Sequence, residues 1–304
     1  MRQTRRYALN SLVASLLLLE AGCGATQFGM CALHTKGEGG APTRNWTECF
    51  EEPFSHTGIT HSVFCLNDGT SKPPVLLLHE LSGLSQGTLA YAEEISKDFT
   101  VYVPMLFGEK GKFSILSGFQ AYWFHGLVEF FPGGEWGVPS HGSTPIVNRL
   151  RGVVQKIGER HNAQHIGIIG NCMTGPIPLA LLDNPRVTAV AVAQPALPMR
   201  FWWYTDADRK SLGLSADDIK SAKQSTAKID GLRFETDCVS NREKQQTLHD
   251  EFGDRFLDGE IPASDYQLDG KPINAHSTLI GAWSEHGQAG QPSRNARERV
   301  RDFS

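Results

Sequence analysis

His165-Ile166-Gly167-Ile168-Ile169-Gly170-Asn171-Cys172-Met173-Thr174-Gly175-Pro176-Ile177-Pro178-Leu179-Ala180-Leu181-Leu182 decides how the rest of the chain is read. The apolar run over 165–169 predicts a buried strand. The run from Pro176 predicts a short helix with prolines in its first turn, where a missing N–H leaves no helical bond unmade. Between the two, a thiol sits at a sharp turn flanked by small residues. Strand, turn and helix with such a side chain at the bend is the arrangement of a nucleophile elbow. Glycines belong there because the turn is strained and the helix runs close to the strand. The hexapeptide Gly170–Gly175 equally suits a buried structural cysteine in a strand-to-helix loop. The remaining sequence has to separate these readings.

Working outward, Pro74-Val75-Leu76-Leu77-Leu78-His79 is the strongest strand signal. Its unbroken apolar run predicts a strand covered on both faces, hence a parallel sheet. Glu80–Ser85 leaves it as a loop, and a helix opens at Ser85 or Gln86. Further strands are predicted at Thr60–Leu66, Thr100–Pro104, Val187–Ala193 (closed by Gln194-Pro195), Gly231–Asp237 and within Asp254–Ile261. Pro145–His161 carries Ile146, Leu150, Val153, Val154 and Ile157 on one helical face. Ser215-Ala216-Asp217-Asp218 opens a helix with acids in its first turn, and Asn241–Phe252 is amphipathic. Strand and helix thus alternate at short intervals, which predicts an α/β fold with a mostly parallel, doubly wound sheet flanked by helices. Residues 106–143 interrupt the alternation with dense aromatics, Phe107 to Trp136. These suit either core or a cap lining an apolar pocket.

The ends differ from this body. Arg2, Arg5 and Arg6 precede an apolar run over Tyr7–Leu19 and then Ala21-Gly22-Cys23. That is a secretory signal pattern, too short to span a bilayer comfortably. The small residues before Cys23 resemble a bacterial lipoprotein cleavage site, with Cys23 as the lipid-anchored first residue of an exported, periplasmic or membrane-attached protein. Glu20 departs from that pattern. The expected organisation is a signal-like segment over 1–25, an extension or linker over 26–59, one domain over 60–283, and a polar tail over 284–304 in which Arg294, Arg297, Arg299 and Arg301 are solvated. A formal charge of −4 over 304 residues offers no basic footprint for nucleic acid. The six cysteines, at 23, 31, 49, 65, 172 and 238, include no Cys-x-x-Cys pair, which argues against zinc-ribbon and thioredoxin-type sites. Cys31 and Cys49 are one available pair in an oxidising compartment, and sequence leaves the connectivity open.

A thiol, with a free pKa of about 8.5, needs a base to take its proton and a third group to orient that base. In the α/β-hydrolase fold these follow in the chain order nucleophile, acid, His. Cys172, Asp237 and His276 stand in that order, the first two just beyond predicted strands. Asp250, Asp254, Asp265 and Asp269 are rivals for the acid, and His249 and His286 for the base.

Three segments carry a resemblance to a known family: Leu78-His79-Glu80-Leu81-Ser82-Gly83-Leu84, Gly170-Asn171-Cys172-Met173-Thr174-Gly175, and His276-Ser277. A fourth is Leu232-Arg233-Phe234 with Asp237, followed by Glu243 and Phe252-Gly253-Asp254. Over about residues 60–283 the chain resembles the dienelactone hydrolases, α/β-hydrolases whose nucleophile is Cys. The resemblance implies hydrolysis of a carboxylic ester or lactone through a thioester on Cys172, with no metal or cofactor. His276 would move the proton and Asp237 orient it. It further implies that Glu80 accepts the thiol proton as substrate binds, and that the backbone N–H groups of Leu81 and Met173 form the oxyanion hole. Two positions depart from the family. Thr174 stands where the elbow usually has glycine. Ile280 stands four residues after His276, where dienelactone-cleaving members carry an arginine that grips the substrate carboxylate. A more apolar small-molecule ester or lactone is therefore expected. The competing expectations are an exported binding protein that keeps the fold without turnover, and a redox-active Cys172, for which the sequence offers no nearby cysteine, only Cys238 next to Asp237 as one that could approach in space.

Overall fold

The computed structural model describes residues 46–51, 61–69, 71–80, 83–106, 134–137, 139, 141–198, 205–237, 239–265, 267–268, 271–272, 276–280 and 291–303. Its centre is an eight-stranded sheet built from β1 (Thr47–Glu51), β2 (Ser62–Leu66), β3 (Pro74–Leu78), β4 (Thr100–Pro104), β5 (Ile166–Asn171), β6 (Val187–Ala193), β7 (Lys228–Phe234) and β8 (Phe256–Ile261). The spatial order is β1-β2-β4-β3-β5-β6-β7-β8. β1 pairs antiparallel with β2, and β2 with β4; every other pair is parallel. β9 (Gln267–Leu268) and β10 (Lys271–Pro272) form a separate two-stranded ladder.

The helices are α1 (Gln86–Ile95), α2 (Pro145–His161), α3 (Ile177–Ala180), α4 (Asp206–Lys210), α5 (Ala216–Gln224), α6 (Arg242–Phe252) and α7 (Gln291–Phe303). They form two layers. Leu76 and Leu78 of β3 pack with Leu150 and Val154 of α2, Leu179 of α3 and Leu248 of α6. Val75 and Leu77, the alternate residues, pack with Leu89 and Ile95 of α1 and Val300 of α7. This is why the β3 sequence reads as a continuous apolar run: strand side chains alternate between faces, and both faces here are covered. Each leucine so buried contributes about 2 kcal/mol, which fixes the register of the strand. α2 has the bounds its periodicity predicts. Thr144 caps its N-terminus with Pro145 behind it, and Asn162, at φ 46°, ends it in the left-handed conformation.

β3 lies between β4 and β5, so the chain first winds to one side of β3 and then returns to the other. Such a reversal opens a crevice at the carboxyl ends of the two strands that flank it. Glu80 follows β3 and Cys172 follows β5, so both stand at that crevice.

Two expectations about the ends, the linker over 26–59 and the solvated arginines of the tail, are corrected, and the cysteine connectivity left open is resolved for Cys49. Residues 47–51, within the predicted linker, are the edge strand β1. Cys49 pairs with Cys65 rather than with Cys31: it sits at a bulge between Glu48 and Phe50, with its Cα 5.9 Å from that of Cys65. Within the predicted polar tail, residues 291–303 are helix α7, and three of its arginines are engaged by acids of the domain. Arg299 pairs with buried Asp230 on β7, Arg297 with Glu94 on α1, and Arg301 approaches Asp98. After His276 the chain makes a turn over 278–280. Of the aromatic segment, Trp136 is buried in the α2-side core, while 107–133 lie outside the described residues, as do 1–45, Leu81 and Cys238. No described helix is long and apolar enough to cross a membrane.

Candidate active site

The elbow is built as its sequence predicts. Cys172 has φ +54°, a left-handed conformation uncommon for a non-glycine residue. A Cβ at Gly170 would come within 2.5 Å of the Thr174 carbonyl and 2.7 Å of the Pro178 ring, so only glycine allows the turn to close on β5. The carbonyl of Cys172 accepts from Gly175 N at 2.9 Å and Ala196 N at 3.0 Å, which holds the strained residue in place.

Thr174 has a function that glycine lacks. Its hydroxyl accepts from Asn171 N at 3.0 Å and has the carbonyls of Asn171, Leu78 and His79 within 2.9–3.2 Å. Asn171 Nδ2 donates to the Leu78 carbonyl at 3.0 Å. The elbow is thereby bonded to the end of β3, the strand that carries Glu80. Helical structure after Cys172 is brief, a 3-10 turn over Cys172–Thr174 and then the four residues of α3. A helix dipole that would favour a thiolate at Cys172 is correspondingly small. Met173 lies at the second position of the 3-10 turn, where N–H groups lack intrahelical acceptors. Its expected partner in an oxyanion hole, Leu81, lies outside the described residues.

Asp237, three residues past β7, and His276 meet directly: Nδ1 of His276 lies 2.8 Å from Oδ2 of Asp237. The other carboxylate oxygen accepts from the backbone N–H groups of Val239 at 2.8 Å and Ser240 at 2.9 Å. Both side chains are buried. An ionised carboxylate only accepts, so Nδ1 carries the proton and Nε2 is left for chemistry. Nε2 is buried and has no partner of full hydrogen-bond geometry among the described residues. Cys172 is nonetheless near enough to act on the ring by charge and as an acceptor; contacts of this kind are often misaligned until substrate binds. Burial disfavours the imidazolium, but the Asp237 carboxylate, its hydrogen bond to Nδ1 and the neighbouring Cys172 sulfur outweigh it. They hold His276 well above the ordinary histidine range. Of the rivals, Asp250, Asp254, Asp265 and His249 are solvent-exposed; Asp269 and His286 lie outside the described residues.

Glu80 is brought to the same place. Ser277 Oγ is 3.1 and 2.9 Å from its two carboxylate oxygens, and Gln194 Nε2 is 3.4 Å from Oε2. Burial pushes the Glu80 carboxyl up; His276 and the bonds from Ser277 and Gln194 pull it part of the way back. His79 ahead of it is fully buried, with Nδ1 3.1 Å from the Glu80 carbonyl and Nε2 accepting from Leu106 N at 2.9 Å. Burial lowers its pKa to about 4, so His79 is a neutral brace between the ends of β3 and β4.

Gln194 and Thr278 are the site residues that sequence reasoning missed, and Ser277, quoted with His276, was given no role. A polar residue ending the apolar run of β6 was the available signal for Gln194. Ile280 is buried, and its Cγ2 lies 2.8 Å from where a Cβ on Gly87 of α1 would stand. That side chain is core, and it offers nothing to a substrate carboxylate. Cys49, Cys65 and Asp68 are the one metal-like grouping among the described residues, and their two sulfurs are joined in the disulfide. Two surface hollows, of about 430 and 600 Å³, lie at the opposite, amino-terminal ends of the strands, beside Pro74 and His165 and beside Val187 and Lys228.

No family model and no curated protein matches the sequence. Solved structures do. A candidate dienelactone hydrolase from Klebsiella pneumoniae subsp. pneumoniae superposes with a TM-score of 0.55 at 14% identity, covering 86% of this chain and 100% of that one. The esterase Pf2001 of Pyrococcus furiosus gives 0.51 at 11% identity over 85% and 91% of the two chains. Est1E of Butyrivibrio proteoclasticus gives 0.51 at 10% over 84% and 97%. At these identities the likeness speaks to architecture: the chain has the α/β-hydrolase fold, with the order of strands and the strand-turn-helix elbow that go with it.

Proposed function

We propose that this protein is a hydrolase that cleaves a small carboxylic ester or lactone through a thioester on Cys172. The observation that carries the reading is buried His276, bonded through Nδ1 to Asp237, while Ser277 beside it bonds Glu80 at the crevice where Cys172 follows β5. As substrate binds, Glu80 takes the thiol proton. The thiolate sulfur adds to the carbonyl carbon, and the oxyanion is held by N–H groups, those of Leu81 and Met173 on the family's pattern. The carbon–oxygen bond to the alcohol breaks as the His276 imidazolium gives its Nε2 proton to the leaving oxygen. Neutral His276 then removes a proton from water, whose oxygen adds to the thioester carbon. The carbon–sulfur bond breaks, the acid leaves, and the thiolate recovers its proton from Glu80. Asp237 keeps the ring oriented and stabilises the imidazolium throughout.

The substrate proposed is one without a carboxylate at the family's arginine-bound position, because Ile280 is packed into the core. Export is proposed on the signal-like start, and the Cys49–Cys65 disulfide supports it, since such bonds persist in oxidising compartments. Hydrolysis of a small activated ester by the wild type and by Cys172→Ala and His276→Ala tests the reading. Undiminished turnover in both variants would sink it, and a wild type inert toward esters and lactones would favour a binding protein on this fold.

A further inference from the structure

Gln194 is the first residue past β6. It has no solvent exposure, and its φ of +36° is left-handed. A strained backbone under a buried polar side chain persists only where its surroundings hold it. Its N–H donates to the Leu232 carbonyl at 2.6 Å. Oε1 faces both donors of Thr278, the backbone N–H at 3.2 Å and the hydroxyl. A backbone N–H can only donate, so this contact fixes which way the amide points. Nε2 is therefore the atom that reaches Glu80. An amide nitrogen also only donates: it satisfies a carboxylate oxygen and has nothing to offer the O–H of a protonated carboxyl.

We propose that Gln194 is a positioning residue that presents Glu80 as a carboxylate and ties it to the loop carrying His276. The inference rests on the reading of Glu80 as the acceptor of the thiol proton. Among the described residues, the groups around Glu80 are consistent with it. From the loop after β8, His276 acts on it by charge and Ser277 by a donated bond. From β3, neighbouring His79 is neutral. The first turn of α1 holds no charged side chain. Gln194 is the contribution of β6. It joins the base to Thr278, two residues beyond His276, so that Glu80 and the imidazole keep one spacing.

The test is the pH dependence of Cys172 alkylation by iodoacetamide, followed by mass spectrometry of the Cys172 peptide, alongside that of kcat/KM. Without the Gln194 donor, Glu80 protonates more readily, and the acid limb of both profiles moves up by about one pH unit in Gln194→Met. Thr278→Val, which leaves Gln194 and Glu80 in place but loosens the amide, moves it in the same direction by less. Glu80→Gln is the control. If it changes the profile while Gln194→Met and Thr278→Val follow the wild type, the role of Gln194 is overturned alone. If Glu80→Gln leaves the profile unchanged, the reading of Glu80 falls and this inference with it. Should Gln194→Met fail to fold, Thr278→Val decides by the same criterion.

Discussion

Nδ1 of His276 lies 2.8 Å from Oδ2 of Asp237, across 39 residues of chain that include all of α6 and β8. The bond keeps a proton on Nδ1 and leaves Nε2 as the atom that gives and takes a proton. Asp237→Asn removes that hold on Nδ1. Its amide can present an N–H to Nδ1 and turn the ring to the tautomer that cannot take a proton at Nε2. We expect kcat on a small activated ester to fall by about 10⁴-fold with KM little changed. Steady-state kinetics of the folded variant checks this, and a loss under tenfold would argue against His276 as the proton carrier.

His79 predicts how stability depends on acid. Burial holds its folded pKa at about 4, below the value of about 6.5 in an unfolded chain. The unfolded state therefore binds the proton first. The contribution is complete above the unfolded value and is lost as pH falls toward the folded one. Between about pH 7.5 and about pH 5 this amounts to about 2 kcal/mol. Urea unfolding of the wild type and His79→Gln at the two pH values should differ by that amount in their pH dependence. Parallel behaviour of the two proteins would show that His79 is not held neutral.

Thr174 ties the elbow to β3 through its hydroxyl. Thr174→Val keeps the shape and deletes the bonds, leaving buried carbonyls of Leu78 and His79 without that donor. A loss of about 1–3 kcal/mol is expected, while Thr174→Ser should lose less. Chemical denaturation of both variants distinguishes a hydroxyl effect from a packing effect. A valine variant as stable as the wild type would remove the hydroxyl from the account.

The Cys49–Cys65 bond closes a 16-residue separation between β1 and β2. Replacing both cysteines with serine should cost about 3 kcal/mol, chiefly by freeing the unfolded chain. Reductant should lower the melting temperature of the wild type and leave that of the double variant where it is. If reductant shifts both equally, its target lies elsewhere.

Arg299 on α7 is the partner of Asp230, a carboxylate with no exposure on β7. Burial pushes Asp230 up and Arg299 pulls it back. Arg299→Leu strands the acid and should destabilise the fold by about 3 kcal/mol. Asp230→Asn in the same chain should restore part of that loss, because the stranded group is then neutral. A double variant no better than the single one would place the cost in helix packing instead.

The α/β-hydrolase architecture, the elbow at Cys172 and the acid after β7 were legible in the sequence for a common reason. Each is a short-range pattern: an apolar run, a turn residue, a strand end. Backbone geometry turns such patterns into position without help from distant residues. The relations between segments belong to the tertiary structure. Thr174 reads as a departure until its hydroxyl is seen against carbonyls more than ninety residues away. Gln194 reads as the end of a strand until its amide is seen between Glu80 and Thr278. The arginines of 291–303 read as solvated until Asp230 and Glu94 are found beneath them, and the partner of Cys49 waits on the pairing of β1 with β2. A buried polar group must find its complement, and which complement it finds depends on which strands become neighbours. That is set by the packing of two helical layers on one sheet, not by the residues on either side of it in the chain.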